Sequence, residues 1–216
     1  QEFITNAFNL LQHLRPGKWL YEVGKLAISS FYQYEHLAHI EQKVNEDPIL
    51  GAALGGNYII RPDIVISRRP VSDDEINHHQ TILESDTPIV RGTPLRAANH
   101  PDPDHPLPLL HASISCKWTI RSDRSQNTRT EALNLVRNRK GHTPHIVAVT
   151  AEPLPTRIAS LALGTGDLDC VYHFALPELQ KAIEEADNED QLDMLKTLVD
   201  GRRLRDISDL PFDLAI

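Results

Sequence analysis

Cysteine, methionine and aromatic residues are the scarcest components of this 216-residue chain, with two cysteines, one methionine and 6% Phe, Trp and Tyr. Two cysteines cannot build a disulfide framework. Cys116 and Cys170 both lie in apolar, strand-like runs, where small buried reduced thiols are expected, and a reducing cytoplasm suits them. No run of about 18 apolar residues exists, which excludes a membrane-spanning helix of the ordinary kind. A charged-then-apolar opening is missing too, so secretion has no support. The chain opens at Gln1 and its one methionine is Met194, so the native chain is expected to begin earlier. Positive charge is in deficit: 22 Lys and Arg stand against 30 Asp and Glu, a net −8.

What is present is an ordinary globular composition, 40% hydrophobic and 24% charged, sized for a single domain over residues 1–216. The acidic average hides a local reversal. Between residues 111 and 145 seven cations, Lys117 and Lys140 with Arg121, Arg124, Arg129, Arg137 and Arg139, face only Asp123 and Glu131. A basic patch on an acidic body can bind a polyanion locally, although a solvated helix face would look the same. Periodicity predicts helices over 3–14 and 30–46, a turn at "LGAALGG", and a strand in "NYIIRPDIVIS". Residues 68–108 read as a long loop holding one short helix opened by a Ser72-x-x-Glu75 capping box. A strand "LLHASISCKWTIR" precedes a helix within 123–140, which Gly141 closes. "HIVAVTAEP" and "DCVYHFAL" read as buried strands around a helix in "PTRIASLAL". "PELQKAIEEA" and "DQLDMLKTLV" read as amphipathic helices. Three or four strands interleaved with helices make a mixed α/β sheet with helices on both faces.

The chemistry concentrates in "SISCKWTIRSDRSQNTRTE" (113–131). Strand alternation puts Ser115 and Lys117 on one face and Cys116 on the other. A lysine in mid-strand is costly unless an acid or an anionic ligand meets it. Asp63, just after Pro62 in the other apolar strand, is a candidate partner at a strand end or sheet edge. An aspartate and a lysine on neighbouring strands, with a further carboxylate, suffice for metal-assisted phosphodiester hydrolysis. The acids hold Mg²⁺ and the lysine orients a water. Each piece has a plainer reading. Lys117 can snorkel to solvent. Glu131 can close a Thr128-x-x-Glu131 capping box. The "PD" pairs at 101–104 sit in loop. Arg121 and Arg124 share a face if Ser122 or Asp123 opens a helix, and arginine reads guanine bidentately while aspartate accepts from cytosine N4. A surface Arg–Asp ion pair is the plain alternative.

"RPDIVIS", "SISCKWTIRSDRSQNTRTE" and "VAVTAEPLPTRIASLALGTGDLDCVYHFAL", in this order, resemble the NgoMIV branch of type II restriction endonucleases over residues 61–176. These are PD-(D/E)xK nucleases acting on palindromes with a CCGG core. The resemblance implies a restriction-endonuclease-like mixed central sheet flanked by helices on both faces. It implies that Asp63 is a metal-binding carboxylate, Lys117 the catalytic lysine, and Glu131 the acid that replaces the one absent at Ser115. The Cys116 carbonyl would be a further metal ligand, and Arg121, Asp123 and Arg124 would read the bases. Mg²⁺, double-stranded DNA, a homodimer or homotetramer, a cognate DNA methyltransferase and a cytoplasmic location follow from the same source. The branch also carries an extra acid on an early helix and upstream minor-groove contacts; Glu2 matches the former poorly and nothing here matches the latter.

Two other stretches carry weaker signals. His78, His79, His100 and His105 with Asp102 and Asp104 offer zinc-type donors, but in proline-rich loop. "GTGDLD" (164–169) lacks the lysine of a phosphate loop and reads as a turn. A repair or junction nuclease of the same fold, and a DNA-binding module with a dead site, remain open beside the restriction enzyme.

Overall fold

The computed structural model describes the backbone of residues 1–24, 26–54, 60–84, 92–164 and 166–216, with all their side chains except those of Leu54, Ser122, Asp123 and Arg124. Six strands form one sheet in the order β1 (Trp19–Val23), β2 (Ile64–Arg68), β3 (Leu109–Lys117), β4 (His145–Thr150), β5 (Cys170–His173) and β6 (Leu204–Asp206). The first two junctions are antiparallel and the last three parallel. The helices are α1 (Glu2–Leu10), α2 (Leu37–Glu46), α3 (Pro48–Leu54), α4 (Asp73–Ile76), α5 (Ser122–Asn138), α6 (Pro155–Ala162), α7 (Leu176–Glu185), α8 (Glu189–Asp200) and α9 (Leu210–Asp213). No described helix is long and apolar enough to cross a membrane.

Two cores sandwich the sheet, as strand alternation requires. Val65, Ile146, Ala148 and Val171 face one core, where Ala132 and Leu135 of α5, Ile158 and Leu161 of α6, and Leu195 and Leu198 of α8 cover them. Ile64, Ile66, Ile114, Val147 and Tyr172 face the other, under Ile4 and Phe8 of α1 and Leu210 of α9. The apolar i, i+4 pairs of α1 and the i, i+3 pairs of α6 and α8 are the reason these segments are helices with one buried side. Ile66 pairs with Ala112 but Ser67 with Leu110, so His111 is an extra residue in β3. That bulge sends Leu110 to the first core and turns His111 onto Phe8 and Trp19, with ring centroids 6.0 and 4.8 Å away.

Several sequence expectations shift. α1 ends at Leu10, short of the Arg-Pro-Gly stop. The predicted helix over 30–46 begins as α helix only at Leu37; before it, 3-10 turns at Ile28–Ser30 and Tyr32–Tyr34 bury Phe31, Gln33 and Tyr34. Tertiary burial there outweighs helical periodicity. The expected turn at "LGAALGG" is helical through Leu54, and residues 55–59 of the turn and following strand lie outside the described residues. β1 and β6 went unread: each is too short for alternation to stand out. The Ser72–Glu75 capping box is present in both directions, at 3.2 Å each. The Thr128–Glu131 box is absent, because α5 opens at Ser122 and places Thr128 in its interior. Both cysteines are free, and Cys170 is buried as expected, but Cys116, near the end of β3, is exposed.

Candidate active site

β2 and β3 run antiparallel, which brings the start of one beside the end of the other. Asp63, immediately before β2, therefore lies next to Lys117, the last residue of β3. Asp63 stands at a strand end and not at a sheet edge, since β2 is paired on both sides. Its Oδ2 accepts the Lys117 Nζ at 2.9 Å and the Cys116 backbone N–H at 2.7 Å. The aspartate's own carbonyl accepts the N–H of Gly24, whose φ of +61° is a conformation glycine adopts without strain. The lysine in the strand is thus paired, not stranded. Its side chain is 25% exposed and that of Asp63 43%, so water screens the pair and the contact contributes modestly to stability.

Ser115 shares the face of Lys117, as alternation predicted, and its Oγ lies 3.5 Å from Oγ1 of Thr128 on α5. One turn further along α5, Glu131 faces the same corner and lines a small cavity with Pro62, Ser115 and Thr128. Burial raises the Glu131 pKa above the ordinary carboxylate value; Lys117 pulls it down and the Asp63 charge pushes it up again. A half-buried acid destabilised by a second acid is relieved by a divalent cation between them. Asp63 and Glu131 supply hard oxygen donors, and with a backbone carbonyl such as that of Cys116 they fit Mg²⁺ or a similar ion. Among the described residues no group of three His, Cys, Asp or Glu side chains stands close enough to hold a metal alone.

Beyond Lys117 the chain passes exposed Trp118 and buried Ile120 to Arg121, the extended N-cap of α5. Arg121 is exposed at the rim, and Ser122 opens the helix. The side chains of Asp123 and Arg124 lie outside the described residues. Sequence reading missed Glu152. This carboxylate is fully buried just past β4 and accepts the Ile120 N–H at 2.7 Å and the Leu154 N–H at 3.3 Å, with Arg157 Nη1 3.7 Å away. It ties the backbone between the Asp63–Lys117 corner and Arg121 to the segment after β4. An acid directly after a buried strand, in "VAVTAEP", was the available signal. The Cys116 thiol is pushed up first by burial and then by the Asp63 charge, and Glu2 is exposed in the first turn of α1.

The remaining candidates disperse. Arg139 donates to the Val136 carbonyl at the C-terminus of α5, and Lys140 lies at that same end. α5 spans 17 residues, about 25 Å, so neither reaches the Asp63 corner. His105 bonds Asp102, His78 packs on His79, and His100 bonds the Pro94 carbonyl, so the loop histidines form no common site. Gly166 turns with φ +85° between α6 and β5, and Thr165 of "GTGDLD" lies outside the described residues.

The family model described as NgoMIV restriction enzyme matches residues 1–216. The type II restriction enzyme NgoMIV of Neisseria gonorrhoeae is 53% identical over 219 residues, covering 100% of this chain and 74% of that protein. A solved restriction endonuclease PspGI–substrate DNA complex is 18% identical, with a TM-score of 0.30 over 48% of this chain and 38% of the other.

Proposed function

This chain belongs to the NgoMIV restriction enzyme family and is a type II restriction endonuclease, and from that premise we propose that it is Mg²⁺-dependent and cuts double-stranded DNA at a palindrome with a CCGG core. Residues 1–216 act as one PD-(D/E)xK domain. The observation that carries this reading is the convergence of Asp63, Lys117 and Glu131 on one corner, with Arg121 and the opening of α5 beside it.

Asp63, Glu131 and the Cys116 carbonyl would hold the metal. Bound Mg²⁺ supplies Lewis-acid polarisation of the phosphate and acidifies a water. Lys117 Nζ, fixed by Asp63, orients the water in line with the scissile bond. The water oxygen bonds to phosphorus as the P–O3′ bond breaks, leaving a 5′-phosphate and a 3′-hydroxyl. Ser115 leaves room on the strand for Glu131 to reach the corner from α5. Arg121, Asp123 and Arg124 read the G·C pairs, arginine on guanine O6 and N7 and aspartate on cytosine N4. A palindrome matches a two-fold protein, so a homodimer, or a homotetramer made of two such dimers, binds, in a cytoplasm where a cognate methyltransferase protects host sites.

The test is digestion of unmethylated plasmid with Mg²⁺, followed by sequencing of the fragment ends, with Lys117→Ala as control. Ends sharing one CCGG-containing palindrome, and none in the control, are expected. Scattered ends would instead assign a repair-type nuclease, and specific binding without cleavage a reader with a dead site.

A further inference from the structure

At the far end of β3 from Lys117 a cavity of about 370 Å³ opens beside Trp19, Tyr32, Arg15, Arg68, Lys140 and His142. His111, at its floor, precedes Lys117 by six residues, which puts the cavity about 20 Å from the catalytic corner. None of the described residues lining it is acidic. Arg15 and Arg68 both lie over the Trp19 ring, with guanidinium carbons 5.9 and 5.8 Å from its centroid. Arg15 donates to the backbone oxygen of Ile216. The Nε of Arg68 is buried with no hydrogen-bond partner, and Arg68 forms no ion pair among the described residues. Gly17 presses on that guanidinium so closely that a Cβ there would stand 2.7 Å from Nε, which holds the arginine against the indole.

This arrangement is unfavourable for the protein alone. Two guanidinium groups share one aromatic ring and repel each other, and burial and the Arg68 charge both lower the Arg15 pKa. His111 is kept neutral, its pKa pushed down to about 3 first by burial and further by Arg15 and the neighbouring histidines, and it bonds the Leu214 carbonyl at 2.7 Å. Stacking alone would need one arginine and would leave no reason for an acid-free cavity bordered by Arg15, Arg68 and Lys140. A tetrahedral oxyanion answers each feature: it offers acceptors to Arg68 and Lys140, neutralises the repulsion, and leaves the aromatic wall for whatever carries it. The volume falls in the range of small-molecule sites and exceeds what a bare anion fills.

We propose that this cavity is a phosphate-binding site, separate from the catalytic corner, that takes the phosphate of a phosphomonoester or of a nucleic-acid backbone. Titration calorimetry of the full chain tests it, in a Lys117→Ala background to remove phosphate binding at the catalytic corner and at constant ionic strength with chloride as reference. The probes are inorganic phosphate and deoxycytidine monophosphate. Saturable binding of both is expected, weakened about tenfold or more by Arg68→Gln and a few fold by Lys140→Gln, whose exposed side chain can change without disturbing the fold. Repetition with a saturating duplex separates the sources: loss of phosphate binding assigns the site to backbone phosphate, and unchanged binding to a free phosphomonoester. Absence of saturable binding up to about 10 mM, or equal binding by both variants and the parent, would overturn the proposal.

Discussion

Replacing Glu152 probes whether a buried acid outside the Asp63–Lys117 corner controls the segment that joins that corner to α5. Its carboxylate is 0% exposed and accepts the Ile120 N–H at 2.7 Å and the Leu154 N–H at 3.3 Å. Alanine leaves the Ile120 N–H buried without an acceptor, a cost of about 1–3 kcal/mol, and removes a charge-assisted bond of similar size; because these overlap, the total is about 3 kcal/mol. Losing the contact to Arg157 adds little, since that side chain is 55% exposed and screened. Glutamine retains one oxygen for Ile120 and should cost about 1 kcal/mol. Urea denaturation with an unchanged m-value measures both. Ile120 is joined directly to Arg121, so a shift near 1 Å in Glu152→Ala should also slow specific cleavage about 10²-fold per folded molecule, with Glu152→Gln restoring most of it. An alanine variant within 0.5 kcal/mol of the parent, or one cutting at the parental rate, would refute the clamp.

Glu131 carries a pH signature. Its folded pKa is raised, so its contribution to metal-free stability is full below the unfolded value of about 4.5 and is lost as pH rises through the folded value; across that window the parent's denaturation midpoint should fall relative to that of Glu131→Gln. Saturating Mg²⁺ should remove the fall, because the ion neutralises the ionised pair. Lys117→Ala should reduce cleavage by about 10²–10⁴-fold with near-parental stability, read by single-turnover kinetics and melting, given a half-screened ion pair. Truncation to alanine of Ile158, 0% exposed on the buried side of α6, should cost about 2–5 kcal/mol, measured by denaturant titration.

Strand alternation alone placed Ser115 and Lys117 together and Cys116 opposite, because side chains on a strand have a period of two whatever surrounds them. Local chemistry likewise determined the capping box at Ser72 and Glu75. The order of short motifs carried the family, since Asp63, Lys117 and Glu131 sit at spacings the chain itself records. Other features have no local signal. Thr128 and Glu131 satisfy a capping pattern, and only the start of α5 at Ser122 shows that the pattern is unused. The bulge at His111 comes from its pairing with β2, a partner more than forty residues earlier, and it lines the cavity beside Trp19. Glu152 reaches Ile120 across 32 residues, and Arg15 meets Arg68 over one indole across more than fifty. Period and capping act within a few residues and are written in the sequence. Pairing, buried charge and cavities depend on which distant segments the sheet brings together, and only the tertiary structure decided those.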